Sequence, residues 1–286
     1  MDYQLLMAVL ISIGILLIFI LQFKIQAFLA LLIASMTAGI LAGMHPSTII
    51  DSMRKGMGDT LGFVATVVGL GALFGALLER SGGAQSLADY MLGKMSLKRA
   101  PWAMVGTGLI VSIPVFFDVA FIILVPIIYA LQKQTGKSLL FFGMPLLAGL
   151  AAAHGFIPPT PGPVAVAHIL GADLGYVIVF GILIGIPAVV ISGPIFGSYI
   201  SKKINVGVPD YIVETNENEN SSVSPKIIIT IIFIPIFLMV INASFKHIPQ
   251  KIWSISSDLI VWIEFIGHPF TALIIANLLA WYFLGI

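Results

Sequence analysis

Apolar positions in this chain are grouped in long runs rather than spaced along helix faces. Uninterrupted runs cover Tyr3–Phe23, Ile25–Met44, Leu61–Leu78, Tyr176–Ile200 and Ile227–Phe245, and a last one covers His268–Ile286. Each is close to the roughly 20 residues that cross ~30 Å of hydrocarbon, so each predicts a membrane span. Polar connections separate them at His45–Thr60, Glu79–Arg99, 205–225 and Lys246–Gly267. Pro46-Ser47-Thr48 predicts a short surface helix before the third span. Asn-Glu-Asn-Glu-Asn and Ser-Ser within 205–225 predict a solvated loop.

Two stretches do not fit single spans. Pro101–Leu131 is 31 residues long with one charge, Asp118, near its middle. As one helix it would run ~46 Å, too long for the hydrocarbon, and as two full spans it is too short. It predicts a re-entrant hairpin, two half-helices meeting near Pro114–Asp118. The second stretch is 138–171, which contains His154-Gly-Phe-Ile-Pro-Pro-Thr-Pro-Gly-Pro163. Proline has no N–H, so Pro158, Pro159, Pro161 and Pro163 deprive the carbonyls of His154, Gly155, Ile157 and Pro159 of helical donors. Such a discontinuous helix is tolerated at membrane depth only inside protein or beside a wet cavity.

Composition gives the class: 59% of residues are hydrophobic, 9% are charged, and the mean hydropathy is +1.07. This is an all-α polytopic membrane protein. The net charge of +1 carries no signal for nucleic acid, and the absence of cysteine excludes disulfide and thiolate chemistry. The first run lacks a basic leader and a small-residue cleavage pattern, so it reads as a permanent helix. No His-Glu-x-x-His, no Gly-x-Ser-x-Gly and no mid-membrane acid pair is present, so neither an intramembrane enzyme nor a metal or cofactor is expected.

The basic residues bear on the hairpin. If 101–131 returns to its own side, ten of the 14 basic residues fall on one face (24, 80, 94, 98, 99, 133, 137, 202, 203 and 226) and four on the other (54, 55, 246 and 251). A single crossing would split them seven and seven. The positive-inside bias favours the hairpin, with the N-terminus outside and loop 205–225 cytoplasmic.

Candidate chemistry gathers at the two irregular stretches. Asp118, an acid inside a membrane segment, is a candidate for a hydroxyl or a proton. It is equally placed to cap the second half-helix. His154 precedes the break and is a candidate to titrate or to donate to a carboxylate, against the alternative of a hydrogen-bonded core histidine. His168 and Asp173 read as structural or surface residues. Pro163 suits the first position of a new half-helix running from Val164, whose free N–H groups would favour an anion, while the freed carbonyls suit a cation or hydroxyls. The expected substrate-binding set is Asp118, His154, Gly155, Pro158, Pro159, Thr160, Gly162 and Val164. The glycines of the third span, Gly62, Gly69, Gly71 and Gly75, are expected to serve helix packing.

Several stretches resemble the gluconate permease family of proton symporters. They are Gly-Asp-Thr-Leu-Gly at 58–62, Gly-Leu-Gly-Ala-Leu-Phe-Gly at 69–75, Ser-Gly-Gly-Ala-Gln at 81–85, Phe-Phe-Asp-Val-Ala-Phe at 116–121, the proline motif at 154–163, and Gly-Ala-Asp-Leu-Gly at 171–175. The resemblance implies an inverted-repeat transporter fold in the cell membrane, each repeat with a hairpin and a broken helix. It implies proton-coupled uptake of gluconate-like sugar acids, with D-serine in one branch, and Asp118 and His154 are the candidate proton groups. One hairpin and one proline break are expected, so the resemblance implies an N-terminal portion, with the second repeat expected to be missing. The alternatives to an active carrier are a non-transporting remnant, or a subunit completed by a second chain.

Overall fold

The computed structural model describes residues 3–208, 223–246 and 257–284, and among these every regular element is helical. The chain forms two compact units, Met1–Phe63 and Val64–Ile286. In the first, α1 (Tyr3–Leu21) packs against α2 (Ala27–Leu41), and Gln4 Nε2 donates to Leu41 O at 3.2 Å. The third helix, α3, is longer than its apolar run. It extends unbroken over Pro46–Arg80, 35 residues, so the expected surface helix and the following span are one element. Pro46 sits in its first turn, where the missing N–H costs nothing, and no later proline interrupts it.

The larger unit begins within α3. The polar connection after Arg80 turns at Gly82 (φ 68°) and forms α4 (Gly83–Gly93) and a short 3₁₀ turn, Leu97–Arg99. Then follow α5 (Ala100–Val111), α6 (Phe117–Thr135), α7 (Leu139–Phe156), α8 (Pro161–Leu170) and α9 (Leu174–Val190). A π-helical turn with Pro194 links α9 to α10 (Phe196–Ile200), a common way for a proline to be absorbed inside a span. Last come α11 (Pro225–Lys246), α12 (Ser257–Gly267) and α13 (Pro269–Leu284), with a 63° bend between α12 and α13. Among the described residues, six helices or interrupted helices are long and apolar enough to cross a membrane, or up to seven if the bent pair is one span. Most of the loop expected at 205–225, and residues 247–256 of the connection before α12, lie outside the described residues.

Packing against α7 organises the larger unit. Ser112 Oγ donates to Leu150 O at 3.1 Å, the Phe116 ring meets the His154 ring, and Gly108 lies against Leu146. Every one of these pairs is 38 residues apart, so α5 and the turn after it run parallel to α7 in constant register. Side chains are absent where these backbones touch: a Cβ on Gly108 would stand 2.6 Å from Leu146 O, closer than real contacts allow. The next helix, α6, turns at Gly136 and returns antiparallel along α7, with Ile128 beside Gly143. Thus α5 and α6 run in opposite directions, meet at 112–116, and have their outer ends together at the start of α7. The α9–α10 run is also antiparallel to α7, placing Gly181 at Phe156 and Gly193 at Pro145.

Candidate functional site

The proline motif gives the site its backbone. The first half, α7, ends at Phe156, where Ile157 N still donates to Ala153 O at 2.9 Å. Residues 157–160 are irregular, the Pro158–Pro159 peptide is cis, and α8 resumes the same interrupted span, Leu139–Leu170. The new helix starts at Pro161 and not, as expected, at Pro163. Thr160 is its N-cap residue, but its hydroxyl turns back to donate to Ile157 O at 2.8 Å.

This start changes the count of free amides. A helix normally presents several unpaired N–H groups at its first turn. Here Pro161 and Pro163 have none, and Val164 N is already given to Thr160 O at 3.3 Å. What the first turn keeps is the Gly162 N–H, with that of Thr160 just before it, neither bonded to a backbone carbonyl among the described residues. Gly162 is exposed, and nothing approaches within 4 Å of where a Cβ would stand. The anion-binding expectation therefore narrows to one or two amides on an open surface.

Two positions on α3 hold the break and the α5–α6 turn. A Cβ on Gly75 would stand 2.5 Å from Pro114 O, and one on Gly71 would stand 3.3 Å from Pro159 Cγ. These glycines are four residues apart and share one face of α3. Of the four glycines expected to serve packing, Gly71 and Gly75 do, against the two irregular segments, whereas a Cβ on Gly62 or Gly69 would meet nothing within 4 Å. Just before them, Leu70 O accepts from Asn277 Nδ2 of α13 at 3.0 Å, and the same amide also donates to Leu273 O at 2.8 Å. Asn277 Oδ1 is buried without a donor among the described residues.

The side chains of the expected set divide. His154 is half-buried; its Nδ1 is buried without a hydrogen-bond partner, and its ring meets the Phe116 edge at a centroid distance of 6.3 Å. Asp118 lies in the first turn of α6, exposed, with no hydrogen bond among the described residues. The capping role considered for it is not adopted: Phe116 is the N-cap residue and no side chain caps α6. Gly155 is exposed and open like Gly162, and its carbonyl is among those freed by the prolines. Pro158, Pro159 and Thr160 are buried and shape the break. Val164 is fully buried with its amide bonded, so it supports the helix start and offers no free group. Asp173 accepts from Gly175 N at 2.9 Å, the structural role expected of it.

Asn277 and Phe116 were not singled out from sequence. Asn277 could have been: it is the one amide side chain in the last apolar run, and amides in membrane helices commonly bond across to a neighbour. Phe116 could not, because an aromatic in an apolar stretch carries no signal until its neighbour is known.

The profile of the GntP family permeases matches residues 4–286. The chain is 38% identical over 271 residues to the low-affinity gluconate transporter of Escherichia coli K12, covering 95% of this chain and 60% of that protein. It is 35% identical over 287 residues to a gluconate permease of Pseudomonas aeruginosa, covering 99% and 63%. It is 37% identical over 285 residues to the D-serine transporter DsdX of Escherichia coli K12, covering 97% and 62%. The chain thus spans about 60% of the length of these relatives. No solved structure matches it.

Proposed function

Because this chain belongs to the GntP family of permeases, a family of transporters and not of enzymes, we propose that it is the N-terminal part of a proton-coupled carrier for gluconate or a related sugar acid. The observation that carries the reading is the meeting of two irregular segments on one face of α3, the α5–α6 turn at Gly75 and the proline break at Gly71. Broken helices of this kind are how many secondary transporters build a substrate site.

In this reading 101–131 is a re-entrant hairpin of an inverted-repeat fold. The substrate carboxylate sits at the Gly162 N–H and its hydroxyls at the carbonyls of His154 and Gly155. Asp118 and His154 carry the proton. The exposed side of Asp118, Gly155 and Gly162 is closed by the second repeat, which belongs to the remaining length of the relatives or to a partner chain. The protein resides in the plasma membrane with its N-terminus outside and the ten-residue basic face in the cytoplasm. A D-serine carrier is the second reading, supported by the 37% identity to the D-serine transporter.

Uptake into proteoliposomes that hold the chain together with a second repeat, under an imposed pH gradient, tests this. Labelled gluconate should accumulate, collapse of the gradient should abolish accumulation, and excess D-serine should not compete. Competition by D-serine alone would transfer the assignment to the second reading. Full uptake by the Asp118→Asn/His154→Ala double variant would remove both residues from the mechanism. Absence of any uptake would leave the non-transporting reading.

A further inference from the structure

Three lysines at one end of the larger unit lie over aromatic rings. Lys94 Nζ is 4.4 Å from the Tyr90 ring centroid, Lys137 Nζ is 4.0 Å from that of Phe141, and Lys203 Nζ is 5.4 Å from that of Tyr199. In each pair the ring lies in the terminal turn of a helix and the lysine just beyond its end: after α4, before α7 and after α10. Rings at this position suit the boundary between hydrocarbon and headgroups, with the ammonium on the polar side.

Other contacts bring these helix ends together. Ser138 Oγ donates to Ile204 O at 3.0 Å and accepts from Val206 N at 3.1 Å, while Leu139 N donates to Val206 O at 2.8 Å. This clasp holds Lys137 beside Lys202 and Lys203. The 38-residue register between α5 and α7 carries Arg99 to the level of Lys137, with Lys98 next to it. Ser86 Oγ donates to Val223 O at 2.9 Å, which brings α4, and so Lys94, to the start of α11 at Lys226. The Tyr90 phenol is drawn below its usual range, first by its hydrogen bond to Lys94 and then by the charges of Lys94 and Lys226.

Lys94, Lys98, Arg99, Lys137, Lys202 and Lys203 are all exposed, and none forms a salt bridge among the described residues. Acids near this end in sequence are Glu79, Asp89 and the four of 209–222. Immediately inside Lys202 and Lys203, α10 and the turn before it expose Ile195, Phe196 and Tyr199. Positive charge without a salt bridge among the described residues, above an exposed apolar strip, matches an amphipathic anion with its acyl chain along the helix.

We propose that this end of the larger unit binds the phosphate of an anionic lipid, held by Lys137, Lys202 and Lys203 with its acyl chain against Ile195 and Phe196. The site lies apart from the proline break and does not depend on what the protein transports.

Native mass spectrometry and thermal unfolding of the full chain, in nanodiscs of phosphatidylglycerol or phosphatidylcholine, test it. Phosphatidylglycerol should be retained preferentially and should raise the unfolding temperature. The Lys137→Gln/Lys202→Gln/Lys203→Gln variant should weaken retention at least about tenfold, since each such charge near an anionic surface counts. The corresponding Lys→Arg variant should keep it, as should Arg54→Gln/Lys55→Gln. Equal retention of both lipids, or a phosphatidylglycerol preference that survives 1 M salt, overturns the proposal. Equal protection by soluble glycerol phosphate also overturns it, in favour of a plain phosphate site. If the Gln variant does not fold, the salt series and the Arg variant decide.

Discussion

Gly75 of α3 lies so close to Pro114 that a Cβ there would stand 2.5 Å from the proline carbonyl oxygen. The atom it would meet is backbone in a tight turn, which cannot swing aside as a side-chain end can. Gly75→Ala should therefore push the α5–α6 turn off α3, at a cost of about 1–3 kcal/mol for overpacking. Gly71→Ala meets a ring carbon at 3.3 Å and should cost less. Thermal unfolding of both variants in detergent checks the order. A Gly75→Val protein as stable as the parent would mean that the turn does not sit there.

Gly162 allows the amide idea to be separated from the helix. Proline is tolerated in the first turn of a helix, so Gly162→Pro removes the N–H while leaving α8 able to form. Gly162→Ala keeps the N–H and meets open space. Substrate binding should be lost in the proline variant and largely retained in the alanine variant, with similar unfolding temperatures. Equal binding by both would show that the amide holds nothing.

Asn277 bonds Leu70 O across to α3 while its own Oδ1 stays buried without a donor. The gain from one bond is offset by the unsatisfied oxygen. Asn277→Leu should then be mild, about 0.6 kcal/mol and at most about 1.7, the range for bonds between membrane helices. Asn277→Asp removes the donor to Leu70 O and adds a charge at depth, so it should be the more damaging. Denaturant titration of the pair would contradict this if the leucine variant were the weaker.

His154 is positioned by a ring and not by a hydrogen bond from its Nδ1. Phe116→Leu removes that edge contact and leaves the imidazole in place. It should lower uptake while leaving the fold intact, and His154→Gln should lower it further. A Phe116→Leu uptake rate equal to the parent's would show the contact to be incidental.

Sequence reading placed the helices well where a run had one length and one character. The runs beginning at Tyr3 and Ile227 lie within a residue or two of α1 and α11. It divided α3 wrongly, because polar residues 45–60 look like a connection when the criterion is hydropathy, although nothing there breaks a helix. It put the start of α8 two residues late, because Pro161 and Pro163 both suit a first turn and local preference cannot rank them. The error mattered chemically: with both prolines inside the first turn, the expected row of free amides shrinks to Gly162 and its neighbour Thr160.

By itself the sequence determined that this chain is a helical membrane protein, and where its backbone cannot stay helical. Both follow from local physics, the length of apolar runs and the missing N–H of proline. It also carried the family, whose profile matches residues 4–286. Tertiary structure decided which irregular segments meet. That Pro114 and Pro159 both rest on α3, that Phe116 faces His154, and that Asn277 reaches Leu70 across 207 residues depend on how helices cross. Crossing is set by close fit between distant surfaces, and no run of residues encodes it alone.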